Sequence, residues 1–150
     1  MGYALFTARK MSLTTRLNLC NAQIMSNSER ANTLTMDIFS IQNKTAMEKA
    51  NKTLAAQTTY SETLNGIKSD DEEYYSKQQA AEAELNRALT EIQKESAMSD
   101  LEIQGLNMQQ TMLDQQRKML ETQLNAYNNE LEQVGKAEED AIKKATPSYK

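Results

Sequence analysis

Apolar residues recur along this chain at alternating intervals of four and three. Near the N-terminus the series reads Leu13, Leu17, Cys20, Ile24, Asn27, Ala31, Leu34, Ile38 and Ile41. A second series reads Ile103, Leu106, Gln110, Leu113, Arg117, Leu120, Leu124, Tyr127, Leu131 and Val134. On a helix this spacing holds a narrow stripe to one side, as the seam of a coiled coil requires. So thin a stripe encloses no core by itself, and each predicted helix must therefore lie against another helix. The expected fold is all-α: an elongated helical hairpin or coiled coil that assembles with further copies. The residues expected to form the assembly seam are Leu13, Leu17, Ile24, Leu34, Ile38 and Ile41, with Leu106, Leu113, Leu120, Leu124, Tyr127, Leu131 and Val134.

Breaks in the pattern set the predicted boundaries. Residues 1–11 read as an apolar lead in which Tyr3, Leu5 and Phe6 stand out. A first long helix is expected over 12–64, its seam clear to Ile41 and looser where Thr45, Glu48 and Lys52 fall in register. Met47, Leu54 and Leu64 are candidates for a shifted stripe there. Asn65-Gly66 is a turn signal, so a turn is placed at 65–71. Gly66 would supply a left-handed residue after the helix. Ser69 or Asp70 would cap the next helix, with carboxylates in its first turn where the helix dipole favours them. The second helix, over 72–144, carries Tyr74, Ala81, Leu85, Ala88 and Ile92 at seam spacing. A phase change over 96–105 suggests a kink or stutter, Gly135 is a weak point, and 145–150 read as a tail.

Composition supports long helices. The 150 residues include one Pro, four Gly, no Trp and 5% aromatics, while Asn, Gln, Ser and Thr make up about a third. The net charge of −4 is unevenly spread: residues through Lys68 carry eight basic and four acidic groups, the remainder nine and seventeen. Opposite signs favour pairing of the two parts within or between chains. The polar seam residues Asn27, Gln110 and Arg117 are expected to lower stability while fixing register. The nine methionines are read first as ordinary core filling, and second as adaptable surfaces for subunits that meet in more than one way.

Little chemistry is indicated. With no His and a single Cys, the chain lacks the usual zinc and haem ligands, imidazole catalysis and an internal disulfide. Cys20 sits on the stripe and reads as a small buried hydrophobe. Glu82, Glu84 and Glu91 read as a solvated face, because di-metal helical bundles need Glu-x-x-His pairs. Tyr74 and Tyr75 lie in acidic surroundings where phosphate attraction is missing. No Gly-rich phosphate loop or nucleophile elbow occurs. The expectation is no enzyme, no cofactor, no metal and no nucleic-acid partner.

No apolar window is long enough to span a membrane. The basic start with Arg9, Lys10 and Arg16 has no acid before Glu29, which leaves membrane-surface contact through the N-terminus as a minor reading. A cleavable leader is not expected.

The stretch Leu101-Glu102-Ile103-Gln104, then Asn107, Met108 and the Leu-heptad helix to Val134, resembles the C-terminal coiled coil of type III secretion filament, needle and tip subunits and of flagellar axial proteins. That resemblance implies a structural subunit exported by a type III-like route without a cleavable signal and polymerised outside the cell or at its surface. The partners would be further copies, with a secretion apparatus or chaperone. The alternative is a cytoplasmic coiled-coil adaptor or stalk of a secretion or other machine.

Overall fold

The computed structural model describes residues 2–145, with side chains from residue 4 onward. It is an all-α helical hairpin: α1 spans Gly2–Gly66 (65 residues) and α2 spans Tyr74–Ala145 (72 residues). Among the described residues there is no strand. Helix α1 begins at Gly2, not near Ser12, so the expected lead forms its first turns. The reason is visible in the spacing. Phe6 and Lys10 extend the stripe back from Leu13 at the same intervals, both are half-buried, and no Pro interrupts. Leu5, by contrast, is exposed, and the side chain of Tyr3 lies outside the described residues, as do residues 146–150 of the expected tail.

The helices contribute to two compact units, one of residues 1–33 with 109–150 and one of 34–108. In the first unit the described parts of α1 and α2 run antiparallel with their seams together. Leu13, Leu17, Cys20 and Leu113 are buried, while Ile24, Leu120, Leu124, Tyr127, Leu131 and Val134 are half-buried. The Cys20 thiol donates to the Leu120 carbonyl at 3.0 Å, which fixes the register across the pair. Arg9 Nη2 meets Glu130 Oε2 at 3.0 Å, and Lys10 pairs with Glu138. These charges flank the seam, as opposite signs on the two helices allow.

The second unit contains the turn. Leu34, Ile38, Ile41 and Leu106 lie half-buried on its seam, together with Tyr74, Leu85 and Ala88, and Ala81 and Ile92 are buried. Midway, the phase of burial changes on both helices. On α1 it passes from Thr45 to Thr53, Ala56 and Tyr60, leaving Glu48, Lys49 and Lys52 exposed. Met47 and Leu54, expected to continue the stripe, expose 66% and 64% of their surface, whereas Leu64 is half-buried. On α2 the step from Ile92 to Ser96 is four residues where three would keep the heptad, and Ser99 and Ile103 follow in the new phase. An inserted step of this kind unwinds the supercoil locally without breaking the helix. The two changes face each other, for Thr45, Glu48 and Lys49 line one gap with Ile92, Glu95 and Ser96. Helix α2 runs unbroken through Gly105 and Gly135.

The turn is built differently from its sequence expectation. Gly66 ends α1 without a positive φ, and Ile67 donates its amide to the Leu64 carbonyl at 3.2 Å. Asp71, not Ser69 or Asp70, organises the entry to α2: its Oδ1 accepts from the Glu73 amide at 3.0 Å and its Oδ2 from Lys77 Nζ at 2.6 Å. Because α2 starts at Tyr74, the acidic run 70–73 precedes its first turn rather than occupying it. The Lys77 ammonium, then the Glu73 amide, hold the Asp71 carboxyl below its ordinary value; the Asp71 carboxylate in turn raises Lys77.

Candidate assembly surfaces

Each residue expected on the assembly seam faces inward within its own unit, so in this structure the two helices of one chain satisfy that stripe between themselves. The three polar seam residues are brought together in the first unit. Asn27, Gln110 and Arg117 line one partly open gap of about 220 Å³ with Ser28, Ala31, Leu113 and Asp114. Gln110 Nε2 donates to the Ala31 carbonyl at 3.4 Å, and Arg117 Nη2 to Asp114 Oδ1 at 2.6 Å. A helix pair can match these groups in one register only, because sliding by a turn would set them against leucines.

The methionines overturn their core-filling reading. Every described methionine is exposed, at 58–71% of its surface. Such side chains are not scattered. With about 100° between successive residues of an α-helix, Met36, Met47 and Leu54 fall within a narrow arc on the side of α1 turned away from α2. Phe39 lies at its border, 65% exposed. In the second unit this series, with Asn43 and Ala50 between, follows steps of three and four. It is a second seam, facing water. On α2 the same unit presents Met98, Leu101, Gly105 and Met108 at steps of three, four and three, again opposite the packed seam. Nothing lies within 4 Å of where a Cβ on Gly105 would sit. In the first unit, Met11 and Met25 take the outward side of α1, and Met112 and Met119 that of α2.

Charge avoids these arcs. From Met36 to Ser61 the outward arc of α1 carries only Met, Phe, Leu, Ala and uncharged polar residues, although 25% of the whole chain is charged. On α2 the outward residues Ala97, Met98, Leu101, Gln104, Gly105 and Met108 are likewise uncharged, with Asp100 and Glu102 to either side. A helix face built for water alone carries its charges there. Charges lie elsewhere: Lys52 Nζ reaches across to α2 and pairs with Glu95 Oε2 at 2.6 Å, and nearer the turn Arg87 pairs with both Glu84 and Glu91. The Arg87 hydrogen bond and charge lower the Glu84 carboxyl from its ordinary value, and the Glu95 carboxylate raises Lys52.

The second unit also holds an open groove of about 700 Å³ between its helices, floored by alanines and threonines and rimmed by charges. Small side chains there leave a trough where larger ones would have met. Tyr74 and Tyr75 pack edge to face, ring centroids 5.6 Å apart. Among the described residues, no three His, Cys, Asp or Glu groups converge as metal ligands would, and no helix is long and apolar enough to cross a membrane.

No protein-family model, curated protein or solved structure matches the chain.

Proposed function

We propose that this chain is a non-enzymatic structural subunit that assembles with copies of itself, as a filament or tube of the kind its C-terminal seam resembles, exported by a type III-like route. The observation that carries the self-assembly reading is the second apolar seam on the outward side of each helix. Burying a large apolar side chain stabilises by about 1.5–3 kcal/mol. Several such residues aligned at coiled-coil spacing make association favourable once the cost of immobilising a partner is met. The sparse chemistry of the chain, with no His and one buried thiol, fits a role of shape rather than catalysis. The filament and export parts of the reading rest on the resemblance of residues 101–134.

Sedimentation velocity and negative-stain microscopy of the purified chain at rising concentration test it. Long regular particles that grow with concentration are expected. A single monomeric species up to the solubility limit refutes the proposal.

A further inference from the structure

We infer that Asn65-Gly66 is a self-modifying site, at which the Asn65 side-chain amide is lost as ammonia and the turn end of α1 gains a carboxylate. The reacting groups are that amide and the backbone nitrogen that follows it. The Gly66 nitrogen attacks Asn65 Cγ and gives up its proton to water. The side-chain nitrogen takes up a proton and departs as ammonia, leaving a cyclic imide. Water then adds to one of the imide carbonyls and breaks its bond to the Gly66 nitrogen. Opening at Cγ leaves aspartate; opening at the Asn65 main-chain carbonyl leaves isoaspartate, with the chain running on through the side chain. In sum, amide and water give acid and ammonia, with no oxidant and no enzyme.

Three observations place the reaction here. Of twelve asparagines, Asn65 alone precedes a glycine, and every other following residue carries a side chain that crowds the attacking nitrogen. Both residues are exposed, and nothing lies within 4 Å of where a Cβ on Gly66 would sit. They are also the last two residues of α1, and that end is weakly held. Gly66 has no positive φ to close the helix in the left-handed manner. The last turn has no basic residue, and nearby Glu62 opposes the helix dipole. Terminal turns open readily, and opening frees the Gly66 nitrogen for attack. Asn27-Ser28, by contrast, is half-buried in mid-helix. The new carboxylate stands between Glu62 and the acidic run 70–73, with only Lys68 of opposite sign among them, so it loosens the end of α1 further.

Timed peptide mapping by mass spectrometry tests this in the full chain, incubated native and in urea at neutral and mildly alkaline pH. In the native chain Asn65 should convert to a mixture of isoaspartate and aspartate several-fold faster than any other asparagine. The rate should rise with pH, because the attacking nitrogen must shed its proton. Asn65 should also keep a larger share of its urea rate than Asn27 keeps. A native Asn65 that stays an amide while other asparagines convert overturns the inference, and so does protection at Asn65 equal to that at Asn27. Gly66→Ala is the control, since neither φ nor crowding demands glycine there. It should slow conversion several-fold with the helical circular dichroism unchanged; an unaltered rate rules out attack by that nitrogen. Asn65→Asp supplies the carboxylate directly and should lower the melting midpoint, whereas an equal or higher midpoint overturns the loosening of α1.

Discussion

Truncating Leu13 tests whether the inward seam is packed within the chain. Its side chain is completely buried in the first unit, 0% exposed, whereas Leu19, six residues on, is 59% exposed on the same helix. Full burial of a leucine is worth about 1.5–3 kcal/mol, and Leu→Ala in well-packed cores costs about 2–5 kcal/mol once the cavity is included. Two packed helices can close a gap more easily than a thick core, so Leu13→Ala should cost about 2–3 kcal/mol. At about 2–4 °C per kcal/mol for a chain of this size, the melting midpoint should fall by about 5–10 °C. Leu19→Ala should stay within about 0.5 kcal/mol, as exposed sites do. The assay is thermal and urea unfolding followed by circular dichroism, at a concentration where sedimentation gives one species for parent and variants. Equal losses at both positions, or a loss only at Leu19, would refute the inward placement of the stripe.

Three further outcomes are expected. Cys20 is 3% exposed and its thiol donates to the Leu120 carbonyl, so a thiol reagent should label it far more slowly in the native chain than in urea; equal rates would contradict its burial. Gln110→Leu should raise the melting midpoint, by about 1 kcal/mol of added burial, while loosening register; a clear drop in the melt would show that its bonds in the gap around Asn27 and Arg117 outweigh the added apolar surface. The Asp71 carboxyl is held below its ordinary value by Lys77 and the Glu73 amide. Its contribution to the turn is therefore present above the unfolded value near about 3.9 and is lost as pH falls through the lower folded value. The Glu73 amide resonance should move in that acid window, and Asp71→Asn should abolish the movement.

The inward seam was legible because one period, sustained over many turns, has only one helical interpretation. Leu13, Leu17, Ile24, Leu113 and Leu120 all face the partner helix as their spacing requires. The start of α1 was missed because apolar Tyr3, Leu5 and Phe6 drew attention as a cluster, although Phe6 already stood seven residues before Leu13. Beyond Ile41 the fixed interval pointed to Glu48 and Lys52. The chain instead shifts phase through the small residues Thr53 and Ala56, a change that no single residue announces. Acidic residues 70–73 read as a first turn, but the Asp71 bonds to Glu73 and Lys77 delay the helix to Tyr74. The outward seams were hidden by the Asn, Thr and Gln between their methionines. Their signals were the even spacing of Met25, Met36 and Met47 and the want of charge around them, and both become visible only once the inward side is known.

Methionine on a wet surface has a chemical liability. Peroxide reaches thioethers that water reaches and turns them into polar sulfoxides, which reductases can reverse. In this chain the thioethers are concentrated on the outward sides of the helices, at Met36, Met47, Met98 and Met108 among others, while the stripe that holds each unit together contains no described methionine. Oxidant would therefore roughen the outside and leave the pairing of the two helices intact, making solubility and stickiness redox-dependent in a protein whose one cysteine is shielded.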